Sequence, residues 1–483
     1  MINPTPITKV IGVLLLIISG FMFSVIPVSL LCNSGDAVHF ITSGLVTFAF
    51  GISFWSIRFN KNHGVKKREG YLIVALGWIF MVSFSTLPFI VSGEIADITD
   101  AFFETMSGMT TTGASILTDI ESVPKGILYW RSLTQWIGGM GIIVLTVAIL
   151  PLLGIGGIEL FVAESPGPTS DKLHPRIKET AKRLWFIYFF LTFSLTVILF
   201  LAGMDLYDAV NHAFTTMATG GFSTKNASIA HYDTPLIQYP IVIFMFLAGT
   251  NYTVLYWGLK MRFKKVWRID EFKAYFGVVA GLSLIISIVI FIVSEISFEK
   301  AFRESLFQTV SLITTTGFVS ADYTSWTESL TLLFFILIFV GACAGSTAGG
   351  IKIIRHLVFF KNTYLEFKRI LHPHAVVPLK LNEQVVAPRI MTHVIIFLLL
   401  YLMTFLLGSI AVVITGMDFL SAIGAVATSL ANVGPGIGSV GPVNNFAHVP
   451  DSAKWILSFL MLLGRLELFT IFVLFTPHFW KSN

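Results

Sequence analysis

Four stretches of this sequence align without a gap when each is counted back thirteen residues from a glycine: 100–113, 208–221, 304–317 and 421–434. Their last four residues read TTTG, ATGG, TTTG and ANVG, and a small hydroxyl, Ser107, Thr215, Ser311 or Thr428, stands six places before each glycine. Apolar runs of membrane-spanning length flank every stretch, yet the segment before each turn is only about ten residues long, and a helix rising about 1.5 Å per residue needs roughly twenty to cross a bilayer. Each segment must therefore enter the membrane and turn back. Non-helical backbone is tolerated at that depth only where it is buried in protein or lines a wet cavity, because its N–H and C=O groups otherwise go unpaired. Four such turns predict a pore built from four copies of one unit.

Composition agrees with a membrane environment. The 483 residues are 55% hydrophobic and 12% charged, with a mean hydropathy of +0.80, and soluble domains carry roughly 25% charged residues. No soluble domain of useful size fits between the apolar runs. The formal charge of +5 comes from basic residues in short loops, which fits positive-inside topology and gives no reason to expect nucleic acid. Cys32 and Cys343 form neither a disulfide framework nor a metal-ligand pattern. The first span, 7–31, is too long for a signal-peptide core and reads as a retained helix.

Taken in order, two spans at 7–31 and 39–57 precede the units. Each unit then has a span, a short segment, a turn and a second span: 71–91, 100–109 and 128–150; 185–201, 208–217 and 236–259; 275–296, 304–313 and 330–360; 390–414, 421–430 and 455–475. The expected division is 1–69 for the two-helix N-terminal part and 70–160, 161–270, 271–385 and 386–483 for the four units. Basic residues recur between units: Arg58, Lys61, Lys66, Lys67 and Arg68; Lys172, Arg176, Lys178, Lys182 and Arg183; Lys260, Arg262, Lys264, Lys265 and Arg268; Lys361, Lys368, Arg369 and Lys380. All fall on one side, which makes that side and both termini cytoplasmic and turns the four short segments toward the outside. Three of the segments open with a carboxylate, Asp100, Asp208 or Glu304, as suits a helix N-terminus. Their C-terminal, negative dipole ends then point toward mid-membrane and favour a cation, whose hydration shell turn carbonyls can replace. Glycine suits the turns through its access to positive φ.

Three further motifs are WIGGMGIIVL at 136–145, AGSTAGGIK at 344–352 and GRLE at 464–467. With the four turns, they make the chain resemble, over its whole length, the Trk/Ktr/HKT superfamily of potassium transporters, and most closely its bacterial TrkH-type membrane subunits. The resemblance implies an all-α polytopic fold, two N-terminal helices followed by four pseudo-symmetric helix, pore-loop, helix repeats around one central pore. It implies potassium as the bound ion, no organic cofactor, and a selectivity filter at Thr111, Thr112 and Gly113; Thr219, Gly220 and Gly221; Thr315, Thr316 and Gly317; and Asn432, Val433 and Gly434. It further implies a homodimer in the bacterial inner membrane, surrounded by lipid and regulated by a separate cytosolic nucleotide-binding ring of TrkA type. None of the turns reads TVGYG, which points to weaker discrimination against sodium than in tetrameric potassium channels.

Residues 341–350, GACAGSTAGG, interrupt the second span of the third unit. Gly341, Gly345 and Gly349 at four-residue spacing fit a helix-packing face. The same glycines also fit a break in the helix, and the resemblance implies an intramembrane gating loop at Gly345, Ser346, Thr347, Ala348, Gly349 and Gly350. Arg465 lies in an apolar span and is expected to face the bundle interior, either as half of a structural ion pair or as a positive charge below the turns. At about 8 Å and an effective dielectric near 20, such a charge opposes a cation by roughly 2 kcal/mol. Glu467, two residues on, faces another way on a helix. Gly436, Gly438 and Gly441 spell GxGxxG without a βαβ context, and Gly345 to Gly350 resembles a phosphate loop lacking its lysine, so neither marks a nucleotide site. Glu104 and His212 are expected to make local hydrogen bonds. No HExxH or paired CxxC suggests an enzyme. Two transport readings follow: a gated, channel-like potassium pore, and a proton- or sodium-coupled symporter with alternating access.

Overall fold

The computed structural model describes residues 2–57, 66–152 and 177–481. The basic positions Arg58, Lys61, Lys172 and Arg176 and the expected boundary between the first two units lie outside the described residues. Among the described residues the regular structure is helical apart from two short strand pairs. Val340–Gly341 runs parallel to Ile351–Lys352, and Lys380–Leu381 pairs antiparallel with Gln384–Val385.

Asn3 starts the first helix, Pro4–Leu31, by accepting a bond from the Thr5 amide, and the chain returns as Ala37–Trp55. The two helices touch backbone to backbone: a Cβ on Gly12 would lie 2.5 Å from the Trp55 nitrogen and 2.9 Å from the Gly51 oxygen. Asp36, in the turn between them, accepts from the Ile127 amide at 2.9 Å and so ties this hairpin to the first unit. At the other end Asn3 N donates to Glu69 at 2.9 Å, and Arg68 donates to the Lys481 carbonyl at 2.6 Å. The N-terminal, first-unit and C-terminal segments therefore meet on one face.

The four short helices are Ile98–Met109, Leu206–Met217, Phe298–Ile313 and Phe419–Ala431. Their N-caps are Asp97, Asp205, Ser297 and Asp418, each accepting a bond from an amide two or three residues on, the usual way a first turn is satisfied. Each begins earlier than the sequence alignment implied. Asp100 and Asp208 lie in first turns as expected, but Glu304 does not open its helix: the third starts about one turn further back, so Glu299 occupies its first turn.

Six described helices are long and apolar enough to cross a membrane, including Asp270–Val293 and the span 390–414. The sequence led us to expect one broken span, in the third unit, where Glu328–Ile338 indeed stops and Ile353–Leu371 resumes after a non-helical stretch. Two more are broken. Pro235–Ala248 and Tyr252–Leu259 meet at 115°, and Asp451–Leu466 and Leu468–Phe475 at 111°. At the first break Asn251 caps the new helix through a bond from the Thr253 amide; at the second, Glu467 adopts φ 58°. Both breaks lie against the 341–352 region, which supplies partners for groups freed at the first and accepts a bond from Arg465 beside the second. Replacing Gly12 by Ile is expected to overpack the hairpin and destabilise the full-length protein by about 1–3 kcal/mol. A lowered thermal midpoint in detergent checks this, and an unchanged midpoint would show that the two helices separate freely.

Candidate functional site

Every short helix ends in the same way. Thr111, Thr219, Thr315 and Asn432 have φ of 54°, 54°, 54° and 55°. Their amides bond back to Gly108, Thr216, Leu312 and Ser429, and the next amides, of Thr112, Gly220, Thr316 and Val433, bond to the carbonyls of Ser107, Thr215, Ser311 and Thr428 at 2.8 to 3.0 Å. This is the Schellman pattern, in which a left-handed residue, normally glycine, lets two terminal carbonyls be satisfied. Here three of the four are threonines, a β-branched residue that reaches this region only under strain. The glycine two places on, Gly113, Gly221, Gly317 or Gly434, is left-handed too, with φ of 85°, 77°, 75° and 99°.

Those glycines close the four turns into a ring. A Cβ on Gly113 would lie 2.3 Å from the Gly220 oxygen; on Gly221, 2.0 Å from Thr316 O; on Gly317, 1.9 Å from Val433 O; on Gly434, 2.7 Å from Thr112 O. Each unit thus receives a carbonyl of the next, in cyclic order. Of the twelve carbonyls in 111–113, 219–221, 315–317 and 432–434, that of Gly220 accepts from Gln135 Nε2 at 2.6 Å, and the other eleven accept no hydrogen bond from a described residue. Buried carbonyls are seldom left without a partner. A concentration of them around one axis is a set of neutral oxygen ligands, suited to a weakly hydrated monovalent cation. Among the described residues there is no group of His, Cys, Asp and Glu fit to hold a divalent metal.

Side chains behind the ring hold it. Glu104, His212 and Gln308 all stand nine residues before their glycines and reach past the turn, further than the local hydrogen bonds expected of the first two. Glu104 accepts from Ser115 Oγ at 3.0 Å and the Ile116 amide at 2.8 Å; His212 meets the Ser223 hydroxyl at 2.9 Å; Gln308 donates to Ser320 Oγ at 3.2 Å. Arg131, buried in the second span of the first unit, bonds Glu104 at 2.6 Å and the Ser223 carbonyl at 3.1 Å, and so joins unit one to unit two. Arg303 bonds Asp233 at 2.9 Å between units two and three; Tyr323 OH donates to Gly436 O at 2.7 Å between three and four; Lys454 pairs with Asp100 at 2.5 Å between four and one. The hydrogen bond from Arg303 keeps the Asp233 carboxyl below its ordinary pKa. Its stabilisation is present above the unfolded value and is lost as pH falls through the folded one, and Asp233's exposure keeps the effect small.

Residues 341–350 are non-helical and lie against one mouth of the ring. Gly349 N donates to Thr315 Oγ1 at 2.7 Å, and the Thr347 hydroxyl lies 3.3 Å from that of Thr219. A Cβ on Gly349 would meet Ala431 O at 2.4 Å. Cys343 N donates to Gly249 O at 3.0 Å, and Asn251 Nδ2 to Ala344 O at 2.7 Å, so the segment satisfies the broken helix of unit two. Lys352 caps the Ala348 carbonyl. Arg465 binds Thr347 O and Gly139 O at 2.9 Å each and also Gly138 O, joining this segment to the GG of the first unit's second span. Glu467 pairs with Arg355 rather than with Arg465.

All twelve turn residues, the 345–350 segment and Arg465 are therefore brought together. Sequence reasoning missed Arg131, Gln135 and Lys454, three polar residues shortly after a turn in otherwise apolar spans. That placement was the available signal.

An α-helical, multi-pass membrane protein with a closed ring of unpaired carbonyls has the form of a membrane transport protein. Comparison with known proteins makes this specific. The family described as "TrkH: Cation transport protein" matches residues 37–482. The Trk system potassium uptake protein TrkH of Escherichia coli K12 is 44% identical over 480 residues, 99% of each chain, and that of Vibrio parahaemolyticus is 41% identical over 482 residues, again 99% of each. The crystal structure of the potassium transporter TrkH from Vibrio parahaemolyticus matches with a TM-score of 0.89 at 39% identity, covering 99% of this chain and 100% of that one. The chain belongs to the TrkH family of cation transport proteins.

The buried pair gives a stability test. Arg131→Met leaves Glu104 without its cation and is expected to cost about 3–5 kcal/mol, while Arg131→Met with Glu104→Gln should lose clearly less. Thermal denaturation of the purified variants checks this; equal losses would mean that packing, not charge, makes Arg131 important.

Proposed function

We propose that this chain takes up potassium across the bacterial inner membrane through a gated, channel-like pore that prefers potassium to sodium. The observation that carries the reading is the closed ring with eleven carbonyls, nine of them in buried residues, that no described donor satisfies. The names of the relatives, potassium uptake proteins of a Trk system, point to the ion and to transport rather than an enzyme activity. In this reading the filter consists of Thr111 to Gly113, Thr219 to Gly221, Thr315 to Gly317 and Asn432 to Gly434. The chain divides at the boundaries expected from sequence, with the basic loops and both termini in the cytoplasm.

The 345–350 segment is the gate in this reading. It is held by polar bonds, to hydroxyls of the ring on one side and to Arg465 on the other, and moving it exposes the ring's inner mouth. Arg465 is a latch as well as a charge, since its guanidinium binds the Thr347 carbonyl directly. A second copy of the chain and a cytosolic nucleotide-binding ring complete the assembly. The Trk system names support further components, and the basic loops offer such a partner a surface.

Potassium and sodium flux into proteoliposomes, with and without an imposed proton gradient, tests the main reading. Downhill potassium flux exceeding sodium flux and indifferent to the gradient is expected. Uphill potassium uptake driven by protons would replace the pore by a symporter, and no cation flux would refute both. Deleting 344–348, or replacing Arg465 by Ala, should raise potassium flux. Slower flux in a folded variant would make the segment and its arginine structural supports.

A further inference from the structure

The four turns are braced in different ways. In units one and three, hydroxyls at the first and third turn positions bond each other: Thr110 with Thr112 and Thr314 with Thr316, both at 2.8 Å. In unit four, Asn432 Nδ2 reaches Met461 O at 2.9 Å and Thr112 Oγ1 at 3.0 Å. Unit two has Ala218 and Gly220 where units one and three have threonines, so that brace cannot form, and it has two consecutive glycines, the most flexible backbone of the set. Gln135, fully buried and contributed by unit one, takes its place. Its amide nitrogen donates to Gly220 O at 2.6 Å and its amide oxygen accepts from Phe222 N at 3.1 Å. The side chain stands where a Gly220 side chain would be: a Cβ there would lie 2.4 Å from Gln135 Cδ. Gly220 O is also the oxygen that packs on Gly113.

We infer that Gln135 is a specificity-determining positioning residue, which fixes the radius of the ring at its second turn by clamping the Gly220 carbonyl and the Phe222 amide. The inference rests on the reading of the ring as a potassium filter. Gln135 reaches no ion itself. It acts by denying the double-glycine turn the freedom to collapse around a smaller cation, and by taking one lone pair of the Gly220 carbonyl, so that this oxygen is a weaker ligand than its counterparts. Loss of the clamp should therefore admit sodium more than it slows potassium.

The test is the potassium-to-sodium flux ratio of the full-length protein in proteoliposomes. In Gln135→Leu, which removes both bonds, the ratio is expected to fall by about threefold to tenfold, the factor corresponding to the net worth of one hydrogen bond. Gln135→Glu, which keeps the acceptor for Phe222 N and loses the donor to Gly220 O, should also lower it. Gly220→Thr alone collides with Gln135; combined with Gln135→Ala and Ala218→Thr it rebuilds the threonine brace of units one and three and should restore the ratio. An equal loss of both fluxes in Gln135→Leu and Gln135→Glu, without a change in ratio, would reduce Gln135 to a structural residue. Should the leucine variant fail to fold, the glutamate variant and the triple variant decide, and an unchanged ratio in the folded glutamate variant overturns the clamp. Gly221→Ala separates this from the parent reading: if it too leaves the ratio unchanged in folded protein, the ring is not the filter; if it changes the ratio and Gln135→Leu does not, only the clamp is wrong.

Discussion

Each turn glycine leaves its side-chain position to a carbonyl of the neighbouring unit, and the ring exists because four such contacts close on themselves. A methyl group at any of them would overlap an oxygen, so the ring could close only by widening. The same close approach gathers the carbonyls of all four units at the ring, where only that of Gly220 has a described donor. Backbone geometry cooperates: a left-handed residue, one outside that region and then a left-handed glycine follow each short helix. A left-handed non-glycine residue costs on the order of 1–3 kcal/mol, and such residues persist only where the surroundings over-determine them. Here the surroundings are the Schellman bonds within each unit and the polar staples between units, Arg131, Arg303, Tyr323 and Lys454.

The broken spans belong to the same problem. Interrupting a helix inside a membrane frees N–H and C=O groups that lipid cannot satisfy. The 341–350 segment and the break at 249–251 solve this for each other, Cys343 N pairing with Gly249 O and Asn251 Nδ2 with Ala344 O. Arg465 serves likewise, occupying carbonyls of two different units. A non-helical segment can therefore sit at the mouth of the ring without a large penalty, and it is joined there by polar bonds as well as by the buried Ala342, Cys343 and Ala348. Polar bonds can be exchanged one at a time, as the proposed gating role requires.

Much of this was legible in the sequence because glycine and threonine at fixed spacing have few meanings in an apolar context. The four turns and their register followed from pattern alone; at 341–350 the pattern fitted a packing face or a break, and the family resemblance pointed to the break. The alignment misplaced the start of the third short helix because a carboxylate, Glu304, stood where a cap was expected, while the real cap, Ser297, is a residue type common everywhere. The bends at Gly249 and Glu467 were hidden for another reason. Gly-Thr-Asn within an apolar run signals a break only if something waits to satisfy it, and that partner lies about ninety residues away in the chain. The strained φ of Thr111, Thr219 and Thr315 was out of reach for the same reason, since propensity argues against it and only the assembled ring imposes it.

The braces show why one chain with four unequal copies differs physically from four equal subunits. In a ring of identical subunits every turn must carry its own support, and a change in one is a change in all. Here units one and three use paired threonines, unit four an asparagine, and unit two a glutamine borrowed from its neighbour. Because Gln135 belongs to unit one and holds unit two, the second turn keeps its shape only while the interface between those units is intact. The interface in turn is set by Gly139, where a Cβ would lie 2.7 Å from the Ala218 Cα, while Gly138 seats the same helix on the short helix of its own unit, 1.9 Å from Met109 O. These are also the glycines whose carbonyls Arg465 binds. The backbone behind the first two turns and the bonds of Arg465 to the 341–350 segment therefore share two residues, and a displacement of that helix alters both the ring and the segment beside its mouth.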